Sequence, residues 1–135
     1  MQPCKDKNLN GKVYRCFFEL TLQVMGGKWK PIILYHLAVE GVMRFSELRR
    51  GINGVTERML ARQLRELEAD GIVSRKVYRE VPPRVEYSLT DLGKGLVPIL
   101  KDLRDWGADY ERRMGGPELF TGEGYERDED EQAAG

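Results

Sequence analysis

Apolar positions recur along residues 13–25 as Val13, Phe17, Leu20 and Val24 and, displaced by one, as Phe18, Leu22 and Met25. Spacings of three and four predict a helix, and two offset stripes predict that it packs on two sides. Gly26-Gly27 ends it, because Gly takes the left-handed C-cap at little cost, and Pro31 stands where the first turn of a second helix has an N–H to spare. That second helix carries Ile32, Ile33, Leu34 and Leu37 and runs to Gly41. Arg44-Phe45 reads as a brief strand, and Ser46 as the N-cap of a short third helix ending near Gly51. Thr56 caps a fourth helix, Glu57 to Asp70, closed by Gly71. Two capped helices joined by a short Gly-containing connection predict a helix-turn-helix.

The pattern then changes period. Residues 72–79 alternate and are rich in β-branched side chains, Val81-Pro82-Pro83 interrupts, and Arg84–Leu89 alternates again, which predicts a β-hairpin with prolines at its tip. On the return strand Val85, Tyr87 and Leu89 share one face and Arg84, Glu86 and Ser88 the other. Thr90 caps a long helix in which Leu92, Leu96, Ile99, Leu103, Trp106 and Tyr110 recur at spacings of four and three, with a bend expected at Pro98. A seam of that length exceeds what so small a core can cover. It is therefore expected to pair with the first helix and with a second subunit. The fold class is α+β, mainly α: a winged helix-turn-helix flanked by N-terminal and C-terminal dimerisation helices. Residues 1–12 read as a flexible arm, 13–114 as the domain, and 115–135, Gly-rich and acidic, as a disordered tail.

Charge changes this picture only when it is partitioned. The net charge of the 135 residues is zero, but residues 118–135 hold seven carboxylates against Arg127 alone, a balance of −6, leaving 21 basic against 15 acidic residues, or +6, in the rest. The folded part can thus face a polyanion. No apolar run approaches the roughly 20 residues of a membrane span, and no secretory signal is visible at the N-terminus, so a cytoplasmic location is expected. Cys4, Cys16 and His36 are too few and too scattered for a zinc framework. No nucleophile–base pair or phosphate-cradling Gly loop is evident, so neither catalysis nor a cofactor is expected.

At 100° per residue Leu60, Leu64 and Leu67 fall on one face of the fourth helix and Arg58, Arg62 and Arg65 on the opposite one. In a helix-turn-helix this helix enters the major groove, where arginine pairs with guanine edges. Thr56, Arg58, Met59 and Arg62 are the candidates for base contact, with Gln63 and Arg65 nearer phosphate. Arg75, Lys76, Arg79 and Arg84 give the hairpin the charge of a wing lying along the DNA backbone, although basic residues also protect sheet edges. Lys28 and Lys30 are further candidates for phosphate, and Trp29 between them reads as a core anchor.

Gly26-Gly27-Lys28-Trp29, Arg44–Arg49, Leu64–Gly71 and Val81–Thr90 together resemble the HxlR-type, MarR-like winged helix regulators, over about residues 13–113. The resemblance implies a dimeric bacterial repressor or activator of pseudo-palindromic promoter DNA, dimerised through Phe17, Phe18, Leu22, Leu96, Ile99, Leu103, Trp106 and Tyr110. It also implies a sensor for oxidants or electrophiles at Cys16, ten residues before the Gly-Gly-Lys-Trp motif, although Phe17 stands where a proline commonly follows. Lys12 and Arg15 would favour the thiolate; the alternative is a half-buried thiol that merely packs. Cys4 is a candidate resolving partner. A protein-interaction module that keeps the shape without binding specific DNA is the competing function. The effector is not named by the residues.

Overall fold

The computed structural model describes residues 5–116 of the chain. Its first feature departs from the expected arm. Lys7–Leu9 (β1) and Lys12–Tyr14 (β2) pair as an antiparallel hairpin. Asn10 and Gly11, both at positive φ (51° and 87°), make the turn, the conformation that an Asn-Gly dipeptide adopts most readily between strands. Val13 therefore lies in a strand, and the first helix, α1, spans Phe17–Met25 rather than beginning at Val13. Gln23 ties the two together by donating its amide to the Val13 carbonyl (2.6 Å). Residues 1–4, with Cys4, and the acidic residues 117–135 lie outside the described residues.

After Gly27, at φ 93°, α2 (Lys30–Glu40) starts with Pro31 in its first turn and ends at Gly41. Ile33, Leu34 and Leu37 are fully buried, while Ile32 falls on the solvent side. Val42–Arg44 forms strand β3, and α3 (Phe45–Gly51) follows directly. Its cap is Arg44 rather than Ser46: the Glu47 carboxylate reaches back to accept the Arg44 backbone N–H (2.8 Å), and the helix starts two residues earlier than expected. The connection to α4 (Glu57–Ala69) buries Ile52 and Val55, and half-buried Trp29 packs against the core beside Gly54 in this turn. Thr56 caps α4 through the Met59 N–H (3.1 Å).

Val73–Tyr78 (β4) and Arg84–Leu89 (β5) form the second hairpin, and β5 lies between β3 and β4 in a three-stranded antiparallel sheet. Tyr87 and Leu89 face the core as the alternation requires, with Val85 at its margin. The long C-terminal helix is interrupted rather than bent. It divides into α5 (Asp91–Lys94) and α6 (Val97–Arg113), because Pro98 has no N–H and its ring would meet the carbonyl of the preceding turn; at the second position of a new helix neither matters. Gly93 is obligatory in α5, since a Cβ there would collide with the Ile72 carbonyl. Residues up to Lys101 make one compact unit, which holds the core from Met25 to Leu100, and a second begins at Asp102 within α6.

Candidate nucleic-acid interface

The α3–turn–α4 unit presents its second helix as the arithmetic of 100° per residue requires. Leu60, Leu64 and Leu67 are at most 1% exposed, and Arg58, Arg62 and Arg65 are exposed. Thr56 is exposed, with its hydroxyl oxygen serving the cap. Met59 is not fully on the outer face. One residue from Leu60, it sits on the flank of the apolar stripe, half-buried against the core, and Gln63 donates its amide to the Met59 sulfur (3.4 Å).

The rotation of α4 is fixed from beneath by a charge pair. Lys30 is 7% exposed and does not reach solvent-side phosphate; its ammonium donates to the Glu66 Oε1 (2.9 Å), and Arg62 approaches the other oxygen (3.3 Å). These contacts hold the Glu66 carboxyl below its ordinary 4.5: the Lys30 hydrogen bond is the largest cause and outweighs desolvation, with the charges of Lys30 and Arg62 adding to it. Across the turn, Arg49 pairs with Glu57 (2.9 Å) and joins α3 to the start of α4. Its neighbour Arg50, absent from the sequence-based candidates, is exposed at the end of α3 and has no carboxylate partner among the described residues. Basic residues in a last turn were the available signal, but they serve the helix dipole as readily as a ligand.

The wing divides its cations into two groups. Arg84 is withdrawn from the expected interface: it lies over the Tyr78 ring (4.0 Å) and pairs with Glu80 (3.3 Å) and Glu86 (3.7 Å). Lys76 is exposed and lies over the same ring (4.8 Å). Arg75 and Arg79 are exposed. Arg75 projects from β4, opposite Tyr87 on β5, into a cleft of about 330 Å³ that Arg65, Ala61 and Glu68 line from α4. Among the described residues, Arg58, Arg65, Arg75 and Arg79 have no carboxylate within ion-pair distance. Lys28 is exposed and stacks its ammonium over Trp29 (4.6 Å).

Outside this face, Cys16 is exposed, not half-buried, and immediately precedes α1. The cations expected to assist it are committed elsewhere. Lys12 pairs with Asp70 (3.2 Å) and Arg15 with Asp6 (2.8 Å), while the thiol donates to Glu19 (3.4 Å). Of the candidate dimerisation residues in the first unit, Phe17 (73%), Phe18 (71%), Leu22 and Ile99 are exposed, and Leu96 packs on the core. In the second unit Leu103, Trp106 and Tyr110 are exposed, with the two rings stacked at 5.2 Å. No helix among the described residues is long and apolar enough to cross a membrane, and no three metal-ligating side chains converge among them.

Residues 24–114 match the family of HxlR-like helix-turn-helix proteins. The chain is 54% identical over 101 residues to YybR of Bacillus subtilis, an uncharacterized HTH-type transcriptional regulator, an alignment covering 75% of this chain and 80% of YybR. It is also similar to the redox regulator HypR in its oxidized form, at 55% identity and a TM-score of 0.67, covering 70% of this chain and 96% of HypR; the reduced form of HypR gives a TM-score of 0.65 at the same identity, covering 70% and 92%. Diamide-treated YodB of B. subtilis is similar at 32% identity and a TM-score of 0.58, covering 70% of this chain and 94% of YodB. These relatives carry the names of regulators, not of enzymes.

The Lys30–Glu66 pair makes a prediction about acid stability. Because the folded Glu66 carboxyl ionises below 4.5, its contribution is complete above that value and is lost as pH falls through the lower, folded one. Glu66→Gln is therefore expected to be less stable than wild type at neutral pH and to converge with it as pH falls below 4.5 and through the lower, folded value. Urea denaturation across that range checks this; a constant difference at every pH would remove the pair from the account.

Proposed function

Since the chain belongs to the HxlR-like helix-turn-helix family, we propose that it is a DNA-binding transcription regulator that reads a specific duplex sequence as a homodimer. The observation that carries this reading is the set of arginines without carboxylate partners among the described residues, Arg58 and Arg65 on α4 and Arg75 and Arg79 on the wing. Four arginines without an ion-pair partner among the described residues, on one helix and one hairpin, leave positive potential for an outside anion. Arg58, in the first turn of α4, takes the base-reading role in this proposal. Arg65 and Arg75, which share a cleft, suit backbone phosphate.

The second copy docks on apolar side chains that nothing in the described residues covers: Phe17, Phe18, Leu22 and Ile99 in the first unit, and Leu103, Trp106 and Tyr110 in the second. Exposed apolar surface of this kind marks an interaction site. The signal enters at Cys16, whose exposed thiol is open to an oxidant or electrophile. The likeness to HypR, named a redox regulator and known in oxidized and reduced forms, supports that assignment.

Three measurements test these roles. Anisotropy titration of a fluorescent duplex from upstream of the protein's own gene is expected to show tight binding that a scrambled duplex lacks. Arg58→Ala should erase about tenfold or more of that discrimination. Arg65→Ala and Arg75→Ala should weaken both duplexes alike and each lower the salt slope by about 1. Equal binding of the two duplexes by wild type would defeat the sequence-specific reading. Phe18→Glu is expected to convert the dimer to a monomer in sedimentation equilibrium, and a dimer unchanged by it would place the interface elsewhere. Diamide is expected to shift the DNA-binding midpoint of wild type by about tenfold or more and leave Cys16→Ser unmoved; an equal shift in both would exclude Cys16 as the sensor.

A further inference from the structure

The N-terminal hairpin, α1, the end of α4 and α5 line a half-open cavity of about 570 Å³, with exposed Leu9 and Leu92 among its lining residues. Its walls are mainly apolar, formed by Leu9, Leu20, Val24, Ile72, Leu92 and Leu96. Lys12 and Asp70 also line it and form an ion pair across it (3.2 Å), with side chains only 26% and 19% exposed. The Thr21 hydroxyl on the same wall donates its proton to the Phe17 carbonyl (3.1 Å) and keeps only acceptor capacity, so the groups that can meet a ligand donor and acceptor together are the ion pair and Asn10 at the hairpin turn. This site is separate from the arginine face and from Cys16, and its case stands whether or not the DNA reading holds.

We propose that this cavity binds an uncharged, mostly apolar ring compound carrying a hydroxyl group. Size sets the first limit. An apolar cavity of about 150 Å³ accommodates one benzene, so this one admits roughly two or three fused rings, within the common range of ligand pockets, about 300–1,000 Å³. Charge sets the second. The ion pair is neutral as a whole, so a ligand carboxylate drawn to the Lys12 ammonium is repelled by the Asp70 carboxylate beside it, and a ligand ammonium meets the converse. A hydroxyl satisfies both, accepting from Lys12 and donating to Asp70. Binding such a group leaves the half-dehydrated pair without an unpaired charge, which a charged ligand cannot do. Because Asp70 is the C-cap of α4, the occupied site adjoins the end of the helix that carries Arg58 and Arg65.

The test is a titration of the full chain with 1-naphthol, followed by its fluorescence and by methyl NMR, with naphthalene-1-carboxylate as the charged comparator. The expected result is saturable binding of one naphthol per chain, with shifts confined to the methyls of Leu20, Val24, Ile72, Leu92 and Leu96, and carboxylate binding about tenfold weaker or more. Asp70→Asn removes the repelling charge and is expected to reverse that order. Val24→Phe and Ala69→Phe fill the cavity from two different helices, and whichever keeps the wild-type circular dichroism is expected to lose naphthol. Absence of saturable binding, equal binding of both probes, or naphthol retained by a folded, filled variant would overturn the proposal. No naphthol binding, together with an altered oligomeric state on filling the cavity, would assign it instead to a second copy of the chain.

Discussion

An ammonium group that has left water must be met by a carboxylate, and Lys30 meets its carboxylate on a different helix. Lys30 is buried, with 7% of the residue exposed, and among the described residues Glu66 answers its charge. The pair lies between two limits: about 0–1 kcal/mol for an exposed ion pair and roughly 3–5 kcal/mol lost on breaking a fully buried one. Its directional effect is as important as its strength. Leu60, Leu64 and Leu67 seat the apolar face of α4 in the close-packed core, and the 2.9 Å contact between Lys30 and Glu66 adds a directional restraint on its rotation. With that rotation fixed, Arg58 and Arg65 point outward, and the candidate interface is a consequence of the core.

The same bookkeeping of charges separates cations that hold the fold from cations without a carboxylate partner among the described residues. Arg84, Arg62, Arg49 and Lys12 look equivalent to Arg75, Arg58, Arg50 and Lys28 in composition, yet each of the first group has a carboxylate beside it and, among the described residues, the second group does not. The difference is geometric. Arg84 and Glu80 flank the hairpin tip, and Glu86 lies two residues along the same strand face, so a long guanidinium reaches both. Arg75 is directed from the other strand toward α4 and finds Arg65 there, with Glu68 in the same cleft but beyond pairing distance. Two like charges sharing a cleft are unfavourable until an anion enters it.

The helices were legible in sequence wherever a cap and a periodic stripe coincided, as at Thr56 and Leu60, Leu64 and Leu67, because both signals are local. The wing was legible for the same reason: Val85, Tyr87 and Leu89 alternate within one strand. The first hairpin was misjudged because its apolar positions, Leu9 and Val13, are few and exposed; Asn10-Gly11 carried the signal, but the continuation of the α1 stripe back to Val13 concealed it. The division of the last helix followed from Pro98, although its form depended on Gly93 fitting under Ile72, a contact twenty-one residues away in sequence. What could not be read at all were the partners of charges. Lys30 and Lys12 look like surface lysines until the fold brings Glu66 and Asp70 to them, thirty-six and fifty-eight residues along the chain.

Those long-range pairs also connect the two ends of the proposed regulator's chemistry. An event at Cys16 can alter DNA binding only if its effect reaches α4, and the thiol has no contact with that helix among its recorded partners. It does sit two residues after β2, in the short link between the hairpin and α1. The hairpin is held at two further points, by Gln23 of α1 on the Val13 carbonyl and by Lys12 on Asp70, the C-cap of α4. Thr90, through its hydroxyl, accepts the Gly93 N–H and donates to the Gly71 carbonyl (2.6 Å), fixing the segment that follows that cap. A modification that displaces the link must either stretch these contacts or carry the end of α4 with it. Because close-packed elements resist gradual deformation and shift between discrete arrangements, the Lys12–Asp70 pair is where the displacement would be transmitted or absorbed.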